Sequence, residues 1–330
     1  MSIPGPYNSK QVAELAPGSK FWGKFMVSEK NQRKTRTGGE LTTLRLVDQT
    51  GSLEAVVWDN CQLQGDLSKG AVIAMQADTS LYFNRRQITA RRIKIFDEDP
   101  TPYMPSAPVP RDALVAELHL LTESLADQHL SALMNTILTP ECVSQMSITP
   151  AAKRIHHNYL GGLLEHTLAV ARLCEQASQQ YHDINRDLLI AGAILHDIGK
   201  IKEFETQVTP EYTVSGKLLG HIVMGCEMVD QAIAQLRRQG HDFPAMLENM
   251  IKHLILSHHG SLEFGSPVKP LFPEAFLLHV MDNLDAKMFV YFEKMTLSEN
   301  AEQYVTPYDS FHQQQFFTYR YQGTEGQEGE

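Results

Sequence analysis

The sequence predicts a multidomain protein of β plus all-α class, a small five-stranded barrel followed by a helical bundle. Three observations carry this. Short segments of alternating polarity fill the chain before residue 97, a proline-rich stretch follows, and apolar residues then recur at helical spacing. Strands are expected at 21–27, 41–47, 52–58, 71–77 and 87–96, separated by turn signals such as Thr37-Gly38-Gly39 and Asp48-Gln49-Thr50-Gly51.

Residues 97–111 hold five prolines and no apolar period, so they read as an extended, stiff linker between domains 1–96 and 112–322. Helices are expected at 113–137, 162–181, 187–198, 217–238, 244–258 and 273–295. The end, 323–330, is small and acidic and reads as a disordered tail.

Composition narrows the function classes. Cys61, Cys142, Cys174 and Cys226 form no C-x-x-C pair, which argues against a disulfide framework, a zinc knuckle or a thioredoxin-type site. The start lacks a basic-then-apolar leader pattern, and the longest apolar run, 188–195, is too short to span a bilayer, so a cytoplasmic protein without membrane partners is expected. The net charge of −10 argues against a nucleic-acid partner until it is resolved along the chain. Residues 20–96 carry 13 basic and 7 acidic side chains, a balance of +6, which leaves −16 elsewhere.

Histidines and aspartates recur near the ends of apolar helices, at Glu165-His166, His196-Asp197-Ile198-Gly199-Lys200, Gly220-His221, His258-His259-Gly260 and Asp282-Asn283. One such histidine is usually a hydrogen-bonded core residue. Five places together fit a metal centre, because imidazole and carboxylate are the donors that manganese, iron, cobalt, nickel and zinc accept. Adjacent His196 and Asp197 can address neighbouring ions, with the Asp197 carboxylate bridging them, and Gly199 is expected to let the backbone turn away. His166 and Asp282 can complete one ion; His221 and His258 or His259 can complete a second. A pair of divalent ions suits phosphoryl transfer, since together they activate water and neutralise phosphate oxygens. No P-loop pattern or nucleophile setting competes.

The order His166, His196-Asp197, His221, His258-His259, Asp282 resembles the HD phosphohydrolase superfamily. The spellings Tyr159-Leu160-Gly161-Gly162-Leu163-Leu164-Glu165-His166-Thr167, Leu195-His196-Asp197-Ile198-Gly199-Lys200, Ile255-Leu256-Ser257-His258-His259-Gly260 and Asp282-Asn283-Leu284-Asp285-Ala286-Lys287 resemble the YhaM family of 3′-to-5′ exoribonucleases, over about residues 20–291. The resemblance implies a divalent metal, often manganese, and release of nucleoside 5′-monophosphates from a free 3′ end. It assigns His166, His196, Asp197 and Asp282 as core ligands and His221, His258 and His259 as those of a second ion. Lys200 matches a lysine that faces phosphate; a surface lysine at a helix end is the alternative. Glu165 and Asp285 are weaker candidates for supporting the ligands. An oligomer is also implied.

The barrel is expected to be an OB-fold, in which a strand of nucleic acid crosses strands 2 and 3 between two loops. The first loop, 28–39, offers Lys30, Arg33, Lys34 and Arg36 to phosphates; the second, 81–86, sets Tyr82 and Phe83 beside Arg85 and Arg86. Trp58 is a stacking candidate or barrel core. The partner is then single-stranded RNA, or DNA, without base-specific readout. Two rivals remain at this stage: an HD enzyme acting on small nucleotides (a dNTP, a cyclic dinucleotide or a dinucleoside polyphosphate), or a non-catalytic nucleic-acid-binding or nucleotide-sensing protein.

Overall fold

The computed structural model describes residues 3–34, 39–82, 85–104, 109–152, 159–205, 211–297, 304–319 and 321. A short helix, α1 (Ser9–Glu14), is capped by Asn8 and precedes six strands: β1 (Lys20–Lys34), β2 (Glu40–Asp48), β3 (Gly51–Trp58), β4 (Gln62–Gln64), β5 (Val72–Tyr82) and β6 (Arg85–Phe96). The first half of β1 pairs with β5 and its second half with β2, across a register shift between Val27 and Glu29. β2 pairs with β3, β5 with β6, and a short parallel contact, Ala55 to Ile88 and Val56 to Thr89, closes the ring. This is an OB-fold barrel of five long strands, with β4 added at the edge of β6. Phe21, Phe25, Leu44, Leu46, Ile73, Met75 and Ile93 fill it, because alternate residues of each strand face one side.

Three barrel expectations change. β1 runs to Lys34, so most of the expected first loop is a hairpin arm paired with β2. Its sequence, Glu29 to Lys34, is polar throughout and shows no core period, yet the ladder satisfies its backbone as well as an apolar strand's. β5 likewise extends to Tyr82, and α1 and β4 are too short to carry a periodic signal.

Of the expected stiff linker, the described residues 97–104 contain a 3-10 turn, Thr101–Tyr103, and are strapped to the barrel. Met104 is buried with Met26 and Val47, beside Leu160. Lys24 reaches Glu98 at 2.5 Å and stands 4.5 Å from the centre of the Phe96 ring, while Tyr103 donates to Glu98 at 3.0 Å.

The helical part comprises α2 (Arg111–Glu123), α3 (Gln128–Ile137), α4 (Pro140–Met146), α5 (Gly162–Gln180), α6 (Arg186–Leu195), α7 (Lys200–Glu203), a hairpin of β7 (Phe204–Glu205) and β8 (Glu211–Tyr212), α8 (Val214–Arg238), α9 (Ala245–Ser257) and α10 (Pro273–Leu297). The single helix expected over 113–137 is two helices. Asp127 caps α3 by accepting from His129 and Leu130 N–H, and Asp187 accepts from Ala126 and Asp127 N–H, so the break is held from both sides. α8 starts earlier than expected and breaks at Gly220, whose φ of 75° and ψ of 160° lie outside the helical region.

The bundle core is formed by Leu163, Leu164, Leu168, Leu189, Ile190, Ile194, Leu254, Ile255 and Leu278, all fully buried. α5, α6 and α10 cross there, and each delivers ligand candidates at one end of the core. Among the described residues no helix is long and apolar enough to cross a membrane. The expected acidic tail, 323–330, lies outside the described residues.

Candidate metal centre

His166 sits on α5, His196 at the C-cap of α6, Asp197 one residue on, His221 just after the break in α8, His258 at the C-cap of α9, and Asp282 on α10. Five separate segments therefore converge. His166, His196, Asp197 and His258 are almost wholly buried.

The donors fall into two groups that share Asp197. On one side, His166 Nε2 is 3.3 Å from His196 Nε2, 3.1 Å from Asp282 Oδ1 and 3.7 Å from Asp197 Oδ2. On the other, Asp197 Oδ1 is 3.4 Å from His221 Nε2 and 3.6 Å from His258 Nε2. His259 completes the second group, whose three histidines can each bring one nitrogen within 4.8 Å of the others; His166, His196 and Asp197 satisfy the same limit.

The donors fit divalent ions on two counts. Asp197 Oδ1, His221 Nε2 and His258 Nε2 are buried without a hydrogen-bond partner, and such atoms are costly unless something coordinates them. The opposite nitrogen of each ring is also held: His166 Nδ1 by Asp285 at 2.7 Å, His196 by Ala193 O at 2.8 Å, His221 by Glu203 at 3.2 Å, His258 by Ile255 O at 2.7 Å and His259 by Phe264 O at 2.7 Å. That is the outer support metal-binding imidazoles require.

Electrostatics agree. Burial drives His258 well below its usual pKa and lowers that of His259, so both keep a lone pair at neutral pH. Burial also disfavours charge on His166, but hydrogen bonds to Asp282 and Asp285 outweigh it and push its pKa up to about 9. Asp197 is held well below the carboxylate range despite its burial, by Lys200 and His196, and Asp282 is lowered against burial by His166. Without an ion, a proton on His166 balances part of this negative charge.

Lys200 opens α7 as a buried residue and donates to Asp197 Oδ2 at 2.6 Å, which removes the surface-lysine alternative. Gly199 lies in the turn between α6 and α7, as expected, but with ordinary αR angles, so the turn itself does not demand glycine there. A Cβ there would lie 2.0 Å from His221 O; glycine lets α7 lie directly against α8. Glu165 accepts from the Tyr159 hydroxyl. Glu203, absent from the sequence-based set, is buried under His221.

The barrel candidates divide. Arg33 and Lys34 are exposed on the hairpin arm. Trp58 is 39% exposed, so it is not barrel core, and Tyr82 is 60% exposed. A cleft of about 340 Å³ lies on the face of β2, β3, β5 and β6, with Thr43, Val56, Tyr82 and Arg86 in its wall. Two cations are less free than expected. Lys30 donates to Leu67 O at 2.7 Å, and Arg86 to Val12 O at 3.2 Å, so both spend donors on carbonyls that fix the fold. Arg36, Phe83 and the Arg85 side chain lie outside the described residues.

Comparison with known proteins places this geometry. The HD domain family model matches residues 163–287. A protein of Oceanobacillus iheyensis named 3′-5′ exoribonuclease YhaM is 32% identical over 282 residues, covering 84% of this chain and 87% of that one. Its namesake in Bacillus velezensis is 31% identical over 271 residues, covering 81% and 84%. Among solved structures, the second OB-fold domain of replication protein A from Methanococcus maripaludis is 22% identical, with a TM-score of 0.21, covering 26% of this chain and 93% of that one. An OB barrel joined to a helical HD bundle with a histidine and aspartate cluster defines a metal-dependent hydrolase of the HD superfamily. Within that superfamily, the chain belongs to the YhaM family.

Proposed function

We propose that this chain is a metal-dependent 3′-to-5′ exoribonuclease that hydrolyses single-stranded RNA, or DNA, to nucleoside 5′-monophosphates. The carrying observation is Asp197, whose two carboxylate oxygens face separate histidine groups and whose Oδ1 is buried without a hydrogen-bond partner. Residues 1–96 serve as the nucleic-acid-binding domain, 97–111 as linker and 112–322 as the hydrolase.

His166, His196, Asp197 and Asp282 would hold one ion and His221, His258 and His259 a second, with Asp197 Oδ1 facing the second group. Manganese is the first choice and iron, cobalt or nickel suit the same donors; when bound, such a pair supplies water activation at neutral pH and charge neutralisation at the phosphate. Lys200 keeps Asp197 ionised and oriented, and its ammonium adds positive charge where a phosphate enters. The bundle orients the last phosphodiester for in-line attack, with the 3′-oxygen of the penultimate nucleotide leaving. On the barrel, Arg33 and Lys34 follow the backbone while Tyr82 and Trp58 offer faces for bases, with Lys30, Arg36, Phe83, Arg85 and Arg86 nearby in the sequence. We place the enzyme in the cytoplasm and read it as a homo-oligomer.

The test uses single-stranded RNA labelled at either end, with Mn²⁺, with EDTA, and with Asp197→Ala. A 5′-labelled ladder that shortens from its 3′ end, with mononucleotide freed from the 3′ label and both lost in EDTA and in the variant, is expected. Intact RNA under every condition overturns the proposal.

A further inference from the structure

α7 ends at Glu203, α8 breaks at Gly220, and the two meet beneath His221. A break in a helix leaves the N–H groups of the following turn in need of acceptors. His221 N–H donates to Glu203 Oε1 at 3.1 Å, and His221 Nδ1 lies 3.2 Å from the same oxygen. One buried carboxylate oxygen thus holds both the backbone and the ring. With Nδ1 carrying the proton toward Glu203, the Nε2 lone pair turns to the interior, 3.4 Å from Asp197 Oδ1 and without a hydrogen-bond partner.

The holders of the five rings follow a pattern. His196, His258 and His259 rest on backbone carbonyls, whereas each donor group has one ring held by a carboxylate: His166 by Asp285 and His221 by Glu203. A carbonyl is fixed by its helix; a carboxylate belongs to a side chain and also raises the basicity of the ring it holds. Glu203 also lies at a close approach of α7 to α8. A Cβ at Gly216 would lie 2.3 Å from Glu203 O, so α7 and α8 touch backbone to backbone there.

We propose that Glu203 is the positioning residue of the second ion, fixing the tautomer and orientation of His221 so that His221, His258 and His259 can hold it. This rests on the two-ion reading of the site. Loss of Glu203 then weakens the second ion selectively, without touching His166, His196 or Asp282.

The experiment is calorimetric titration of the metal-free full chain with Mn²⁺ alone, with bound metal counted by mass spectrometry, for wild type, Glu203→Ala and Glu203→Gln. Two ions per chain are expected in wild type. In Glu203→Ala the first ion binds within about twofold of wild type, and the second weakens on the order of 10- to 100-fold. Glu203→Gln keeps an acceptor but loses the charge, and falls between. A role confined to capping the broken helix lowers the melting temperature and leaves both affinities unchanged, which overturns the proposal. Wild type that binds one ion overturns the two-ion reading and the proposal with it; wild type with two and Glu203→Ala with two of equal affinity overturns the proposal alone. Should Glu203→Ala fail to fold, Glu203→Gln decides: wild-type affinity for the second ion refutes, a selective loss supports.

Discussion

Asp197 serves two histidine groups and still accepts from Lys200, all within a site almost closed to water. Removing one partner of a buried ion pair costs about 3–5 kcal/mol because the other charge stays behind. Lys200→Met should therefore lower urea stability by that order in EDTA. The loss should be much smaller in saturating Mn²⁺, where bound cations replace the missing charge; equal losses in both buffers would reduce Lys200 to packing. At this scale the sequence is informative about the candidate ligands that the fold brings together and silent about the residues that support them. His166, His196, Asp197, His221, His258, His259 and Asp282 are legible because imidazoles and carboxylates sit together at the ends of apolar runs. Glu203, the last residue of Lys-Ile-Lys-Glu, reads as a solvated helix charge until folding sets it under His221. The carbonyl partners of Lys30 and Arg86 are equally invisible, since they are made between elements far apart in the chain.

The break in α8 is the element on which the second histidine group turns. Gly220 occupies backbone angles that other residues reach only at about 1–3 kcal/mol, so Gly220→Ala should lose stability of that size and weaken Mn²⁺ binding through His221. Unfolding in urea and metal titration check the two parts separately. Between α8 and α9, Glu248 accepts from Arg237 at 2.7 Å and from Lys252 at 3.0 Å. Burial raises its pKa, but those two cations outweigh it and the net shift is downward. Its contribution is thus fully present above the unfolded value and lost as pH falls through the lower folded value. As pH falls from neutrality to below the ordinary glutamate range, the wild type should lose more stability than Glu248→Gln; parallel declines in denaturant midpoints would discard the clamp. Element types are legible for the long elements, since period separates strands from helices, but not for α1, β4, α4 or the β7–β8 hairpin, which are too short to show one. Boundaries fail where a polar cap interrupts an apolar run, as Asp127 does within 113–137, or where pairing extends a polar arm, as in β1.

Charge is divided across the whole molecule, with a basic barrel on an acidic remainder. Binding to single-stranded RNA should weaken with salt, with a slope of about −0.7 for each phosphate neutralised. Arg33→Ala with Lys34→Ala should make that slope shallower by roughly 1.4 when both contact phosphate, measured by fluorescence anisotropy across a salt series. An unchanged slope rules the hairpin arm out of RNA binding. The two-domain order and both fold classes are legible in the sequence, but the course of the linker is not, because five prolines describe stiffness and say nothing of where the segment lies. Met104, Tyr103 and Glu98 press it to the barrel, Leu160 carries that contact to the approach of α5, and Lys69 of the barrel reaches Glu211. On the proposed function, these contacts would set the span between the barrel that grips and the bundle that cuts, so digestion of end-labelled RNA should stall at a set residual length once the strand no longer reaches both.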